Sequence, residues 1–465
     1  MAYRPLHLPR RGALALGAGV ALAAAVVVPA AGAATAPPTG GSVSGFAYGE
    51  MQAQTVGKSG CGTNTAGEPS LHVSKANLVG LGSENGVGGG SAYWRATQVG
   101  GSTSASPCAL TYSGQPNAVG GVGASGGDID TAYAPVKDPT THTYRIYVAS
   151  LNLASVNVAT STDNGATFSQ VPVQAGLPLD DREWIAAYGA KTSLLSYHDI
   201  ASNNIDVLRS DTGGGPYLEQ TTAIPPTDYK AMNNELGNIV IDHNHPTPGG
   251  FYAYQSFVAP SKDPGPSGSA PYNEAFLAVS SDGGHTFTDK PIACTTKFGA
   301  NGLSHNFPNV SVAPDGSLYY AVSNDKSIYV ARSTDHGNSW ACSGPVSSVH
   351  QAIFPWIVAT SAGVDLVYYG TNGTGANQTW YVYFAQGSAH GLVTKRLMPV
   401  HQGPVCESGA TCTGGRQLLD DFAVDTDQSG WAHIAYSHDS PNLGGTSSYT
   451  GYAVQQSGSR VGAPN

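Results

Sequence analysis

Charge is what this chain has least of. Asp, Glu, Lys and Arg make up only 11% of its 465 residues. So few Lys and Glu, which favour helices, beside 60 Gly, which do not, argue against a helical protein. Disorder is also excluded, because it needs high net charge and few aromatics, and this chain carries 24 Tyr. A net charge of −10 leaves no electrostatic footprint for nucleic acid or anionic lipid. After the N-terminal stretch, no apolar run is long enough to span a membrane. No Cys-x-x-Cys or Cys/His spacing points to zinc. No Gly-rich stretch precedes a helix as a phosphate loop must, and no Gly-x-Ser-x-Gly elbow stands in a strand–helix context.

What is present begins with a leader. Arg4, Arg10 and Arg11 precede an apolar run from Gly12 to Val28, and Ala31-Gly32-Ala33 supplies a small-x-small cleavage site. Residues 1–33 therefore read as a signal peptide. The rival, a membrane anchor, needs about 20 strongly apolar residues. The Arg10-Arg11 pair leaves twin-arginine export open beside the general route. The expected product is secreted, with no membrane attachment after cleavage. It has an N-terminal segment over 34–66 and its folded domain over 67–465. The six Cys of an exported chain suggest disulfides.

One octet recurs. It reads Ser161-Thr162-Asp163-Asn164-Gly165-Ala166-Thr167-Phe168, then Ser280-Ser281-Asp282-Gly283-Gly284-His285-Thr286-Phe287, then Ser333-Thr334-Asp335-His336-Gly337-Asn338-Ser339-Trp340. Each copy follows a strand-like run, such as Ile328-Tyr329-Val330-Ala331, so each is a turn leaving a strand. The first gap, from Asp163 to Asp282, is close to twice the second, from Asp282 to Asp335. A worn copy at Ser210-Asp211-Thr212-Gly213 fills the interval. Upstream of the turns lie paired apolar runs, for example Phe354–Val358 with Val364–Tyr369. Three or four short strands per unit describe a propeller blade. Units start near Glu68, Asp128, Asp181, Glu235, Asn306, Phe354 and Asp421.

The expected fold is thus all-β, a single β-propeller of six or seven four-stranded blades. Seven is favoured, and six results if the Gly-interrupted Glu68 unit merges with the next. A β-sandwich or two domains are the alternatives, but a sandwich rarely repeats one turn so regularly and no linker divides the chain. Cys294 and Cys342 follow adjacent octets and would pair across neighbouring blades. Cys406 and Cys412 bracket one loop, and Cys61–Cys108 remains.

The octets resemble the Asp-box, or bacterial neuraminidase repeat, of sialidase-like propellers. The resemblance implies a glycan-directed protein whose boxes lie away from its active site. Asp163, Asp282 and Asp335 then lock their own turns instead of acting in catalysis. A sialidase clamps its substrate carboxylate with three Arg and uses a Tyr–Glu nucleophile and an Asp. Here only Arg182 and Arg416 stand at strand starts, and Tyr144-Arg145-Ile146-Tyr147 is no match to the family's Arg-Ile-Pro motif. The catalytic Arg triad is not visible.

In a propeller the first strand of each blade lines the channel, so its start is where chemistry belongs. The residues there give the candidate catalytic set Asp128, Asp181, Arg182, Glu183, Glu235, Arg416 and Asp421. On a regular strand Asp181 and Glu183 share a face, with Arg182 opposite. Two carboxylates so placed suit acid/base work or a cation. Asp425-Thr426-Asp427-Gln428-Ser429-Gly430 mimics a calcium loop but lacks its closing Glu, with Tyr436 in that place, and reads as a turn. Asp242-His243-Asn244-His245-Pro246 reads as a Pro-terminated turn in preference to a metal site.

No cofactor is expected; a structural calcium stays open. Two functions remain. One is a glycoside hydrolase acting on an extracellular glycan or glycoconjugate. The other is a non-catalytic glycan- or protein-binding propeller. Either is expected to be a monomer.

Overall fold

Short runs of β-branched and aromatic residues, cut by Gly, Asn and Asp turns, favour antiparallel strands joined by tight connections. The structure, a computed structural model, describes residues 40–465 apart from 87–88, 97–105, 118–126, 153–154, 173–179, 266–269, 306, 389–390, 421 and 440–442. The expected leader, Asn306 and the candidate Asp421 lie outside the described residues. Among the described residues no helix is long and apolar enough to cross a membrane.

The strands form seven antiparallel sheets. Blade 1 runs Gly67–Val73, Val79–Glu84, Ser91–Arg95 and Thr111–Gly114. Blade 2 has Ile129–Lys137, Tyr144–Asn152, Ser155–Ser161 and Ser169–Pro172. Blade 3 has Asp180–Tyr188, Thr192–Asp199, Asn204–Ser210 and Glu219–Thr222. Blade 4 has Glu235–Thr247, Gly250–Ala259, Glu274–Ser280 and Thr288–Ile292. Blade 5 has Asn309–Val312, Leu318–Ser323, Ile328–Ser333 and Ala341–Cys342, and blade 6 has Gln351–Ala359, Val364–Thr371, Thr379–Ser388 and Gly391–Gln402. Blade 7 begins with Ala423–Thr426, Ala432–His438 and Tyr449–Gln455. First strands pack on one another in ring order, and the seventh packs on the first. The chain is a seven-bladed β-propeller. The six-blade alternative falls because the Glu68 unit is a complete sheet of its own.

Blade 7 takes its fourth strand from the other end of the sequence. Phe46–Glu50 pairs along Tyr449–Gln455, with Phe46 opposite Gln455, and Gly41–Val43 adds a fifth strand outside it. The domain boundary expected at residue 67 is therefore corrected, since part of the 34–66 segment is propeller. An unpaired Tyr449–Gln455 would leave an open sheet edge, and the early strand covers it.

The disulfides are Cys61–Cys108, Cys294–Cys342 and Cys406–Cys412. The first anchors the segment behind the closing strand to blade 1. The second joins the connection after blade 4 to the outer strand of blade 5, and the third closes a small loop ahead of blade 7.

The octets are locked from within. Asp163 accepts from the Ser161 hydroxyl at 2.7 Å, the Thr167 N–H at 2.9 Å and the Thr167 hydroxyl at 2.6 Å. Asp282 repeats this with Ser280 and Thr286, and Asp335 with Ser333 and Ser339. The hydroxyl and N–H of Ser339 hold the Asp335 carboxyl down at about 2. In the worn copy Asp211 is drawn instead to Thr192 and Arg209. Strand register places the octets: Ser210, where a third strand ends, pairs with Ser193, near where the first strand ends at Tyr188. They therefore lie on the face opposite the first-strand starts.

Two sets of bonds stitch neighbouring blades. Near the axis, a polar side chain of one first strand accepts a main-chain N–H of the next. Asp130 takes Ile185 at 2.8 Å, Asn238 takes Val310 at 2.8 Å, Asn309 takes Ile357 at 2.7 Å and Asp425 takes Val73 at 2.7 Å. On the octet face, Arg95, Arg145, Arg209 and Lys290 each donate to a turn carbonyl of the following blade, at Asn164, Gly213, Gly283 and His336.

Asp427 accepts the N–H groups of Ser429 and Trp431, so the calcium-like string is a turn between strands. The Asp242–Pro246 stretch differs from expectation. The first strand of blade 4 continues to Thr247 through a register shift between Ile241 and Pro246, and the turn comes after it. His243 bonds the Ala187 carbonyl while His245 bonds Asp242, so the two rings serve separate partners.

Candidate functional site

Three first strands depart from regular geometry at their starts, and each does so with a non-glycine residue at positive φ. These are Glu68 at 50°, Arg182 at 45° and Phe354 at 54°. Each sits in a β-bulge, marked by register shifts at Gly67/Ser70, Asp181/Glu183 and Ile353/Trp356. A bulge frees one N–H from the ladder and re-aims its side chain. All three freed groups donate to the preceding blade: Glu68 to the Ser437 hydroxyl at 3.0 Å, Arg182 to Asp128 at 3.1 Å and Phe354 to the His305 carbonyl at 3.1 Å. Blade 4 has a fourth shift, at Leu236/Ile239. Gly237 lies within it, where a Cβ would stand 1.8 Å from the Pro308 carbonyl, so only glycine fits.

The bulge at Arg182 overturns one expectation. Asp181 pairs with His198 and Glu183 with the adjacent Tyr197, so these two carboxylates count as consecutive positions and point to opposite faces. Asp181 is exposed at the mouth, while Arg182 and Glu183 are buried. The recess still strips water from Asp181, and with the charge of Asp128 this pushes its carboxyl up to about 6. Burial also raises Glu183, whose two oxygens have no hydrogen-bond partner.

Arg182 lies over the Trp184 ring at 4.0 Å and the Phe307 ring at 5.1 Å. Trp184 in turn contacts Trp356 at 5.2 Å between ring centres. This aromatic floor supports the guanidinium, whose Nη1 stands 3.7 Å from Asp128 and 4.0 Å from Glu68. Arg416 faces Glu68 at 3.7 Å and pairs closely with Asp420. Farther along the strands a cavity of about 170 Å³ is lined by His72, Asp130, Asn238, His243 and Asp425.

Across the mouth, Glu235 is half-buried at the first position of its strand. Burial raises its carboxyl to about 7, with help from the charges of Asp420 and Asp181. Burial and Glu235 together also raise Tyr272. His305 lies nearby, bonded to Glu407 at 2.6 Å. One ligand atom each from His305, Asp325 and Glu407 falls within 4.8 Å of the others, as does one from each of Glu68, Glu84 and Asp128.

The fold therefore brings Asp128, Asp181, Arg182, Glu235 and Arg416 to one mouth, with Glu183 behind it. Strand-start reasoning missed Glu84, Asp325 and Glu407. Glu84 ends the second strand of blade 1 and pairs with Gly67. In an antiparallel sheet the end of strand two returns to the start of strand one, so acidic second-strand ends were the available signal. Glu407 lies on the loop closed by Cys406–Cys412 and carries no repeat signal.

No protein-family model and no curated protein sequence matches the chain. Solved structures do align with it. An α-L-arabinofuranosidase from Fusarium graminearum shares 10% identity over 88% of this chain and 97% of its own, with a TM-score of 0.46. The phage phi92 endosialidase gives 9%, 89%, 70% and 0.45, and a Ruminococcus gnavus intramolecular trans-sialidase 11%, 84%, 94% and 0.39.

Proposed function

We propose that the protein is a secreted glycoside hydrolase, with Glu235 as the general acid and Asp181 as the partnering carboxylate. The observation that carries this reading is the Glu235 carboxyl, which burial raises to about 7 and which feels the charge of Asp181 from the neighbouring blade, itself raised to about 6. Hydrolysis of a glycosidic bond needs such a pair, one carboxylic acid to protonate the leaving oxygen and one carboxylate to act as base or nucleophile.

The substrate is not read as a sialoside. Arg182 and Arg416 bear on the carboxylates of Glu68, Glu84 and Asp128, and His305 bears on Glu235. Both arginines are engaged by Glu68, Asp128 and Asp420, so neither is held out for a substrate carboxylate. Three disulfides fit an extracellular setting and support the secreted assignment.

The test is reducing-end release from a panel of neutral, amino and sialylated glycans. The full chain is expected to turn over at least one non-sialylated member. Glu235→Gln and Asp181→Asn should each lose about 10²–10⁴-fold in rate while melting as the parent does. Absence of turnover on the whole panel would overturn the catalytic reading and leave the binding one.

A further inference from the structure

The octet-face bonds that stitch the blades run from blade 1 to blade 5. Among the described residues, none of this kind joins blade 5 to blade 6. In blade 3, Arg209 stands directly before Ser210 of the worn octet. It donates from Nη1 to the Gly283 carbonyl of the next blade at 2.6 Å and from Nε to Asp211 at 3.0 Å. Arg332 holds the same place in blade 5, directly before Ser333. Neither partner is there for it. Asp335 is taken up by its own turn. Blade 6 passes from its third strand, ending at Ser388, to its fourth, starting at Gly391, with no room for an octet.

The Arg332 guanidinium is left with one bond, from Nη2 to the Ser317 hydroxyl of its own blade at 3.1 Å, and lies over the Tyr319 ring at 5.6 Å. Its Nε has no hydrogen-bond partner. In a chain of net charge −10, no described carboxylate pairs with it.

The unstitched interface is also open. The outer strand of blade 5, Ala341–Cys342, has two residues, where the outer strands of the other blades have four or more. A groove of about 660 Å³ lies there between blades 5 and 6. Tyr319, Val330, Val346, Val364 and Leu392 line it, and Arg332 is the one charged residue among its described walls. Small-molecule sites commonly take this form, with roughly 300–1,000 Å³ of mainly apolar lining and a few polar groups that fix orientation.

We infer that this groove binds a small organic monocarboxylate with an apolar body. The carboxylate takes charge-assisted bonds from Arg332, which no protein carboxylate occupies. The body lies along Val346, Val364 and Leu392, where it loses contact with water. A sugar suits the walls less well, because its hydroxyls would face them without partners. The groove stands at the octet end of its blades, so the inference does not depend on the mouth being catalytic.

Calorimetry on the full chain at pH 7 tests this. The acids are 3-phenylpropanoate and hexanoate, each compared with its uncharged primary amide. Acetate supplies the charge without the body, and N-acetylglycylphenylalanine with a free carboxylate stands for a polypeptide chain end. The acids are expected to bind about 10-fold more tightly than their amides, and less tightly as salt rises. Arg332→Gln removes the cation, and Leu392→Glu sets a like charge against the ligand. Both variants should lose the preference while melting as the parent does. Equal binding of acid and amide overturns the subsite, as does acid binding that Arg332→Gln leaves unchanged. Acetate binding as tightly as the larger acids overturns the role of the apolar walls. Tighter binding of the dipeptide than of either free acid overturns the small-molecule assignment in favour of a chain end. No binding of any acid overturns the proposal.

Discussion

Asn309 Oδ1 accepts the main-chain N–H of Ile357 at 2.7 Å and so joins the first strands of blades 5 and 6. Asn309 is 1% exposed, and the N–H it satisfies belongs to a buried residue. An alanine there leaves that donor without an acceptor. Asn309→Ala should cost about 1–3 kcal/mol, read as a lower denaturant midpoint at unchanged slope. Asn309→Asp, which keeps the acceptor, should cost less.

The pH dependence of turnover is set by the two mouth carboxyls. Glu235 must keep its proton to act as acid, and its carboxyl stands at about 7, so the rate falls as pH rises through 7. Asp181 must be ionised, and it stands at about 6, so the rate falls as pH drops below 6. A bell-shaped kcat/KM profile with its maximum between these values is expected, and its limbs belong to the pair because the charge of Asp181 raises Glu235. Asp181→Asn should remove the acidic limb from whatever activity remains.

The octet aspartates should affect stability and leave chemistry alone. Asp282→Ala removes the acceptor for Ser280 and Thr286 and should cost roughly 1–2 kcal/mol. KM and kcat should match the parent, because the turn lies on the face opposite the mouth. Asp335 stands at about 2 when folded, against 3.8 for an ordinary Asp. Its contribution is therefore present above pH 4 and is lost as pH falls toward 2, which acid titration of the melting midpoint will read. Asp335→Asn should flatten that acid limb.

The disulfides should rank by the chain they enclose. Cys61–Cys108 spans 47 residues and Cys406–Cys412 spans 6. On loop entropy alone, opening the first costs about 4 kcal/mol and the second about 2 kcal/mol. Paired Cys→Ser variants compared by guanidinium unfolding check the order. Loss of the 406–412 bridge should also weaken the Glu407 contact to His305, seen as a changed His305 titration by NMR.

Much of this fold was legible because it repeats. Ser-x-Asp-x-Gly turns and paired apolar runs marked the blades, and the proposed starts fall at or beside the observed first strands. The worn Asp211 copy kept its place in the count although its Asp now bonds Arg209. The closing strand was not legible, because Phe46 meets Gln455 across almost the whole chain with no local pattern to announce it. At the mouth, periodicity pointed to the correct end of each strand. It failed at Asp181–Glu183, where one extra residue in a bulge turns Glu183 to the opposite face. It also passed over Glu84, whose role depends on pairing and not on its neighbours in sequence.

The pairing of Phe46 with Gln455 also frees the architecture from the order of its gene. The two strands run side by side in one sheet, so a short peptide could bridge them. A new start could then be cut at an exposed turn such as 200–203 between strands of blade 3. The same seven sheets would form with every strand covalently continuous through blade 7. Circular permutants of this kind would show how much of the ring's rigidity comes from the latch and how much from the stitching between blades.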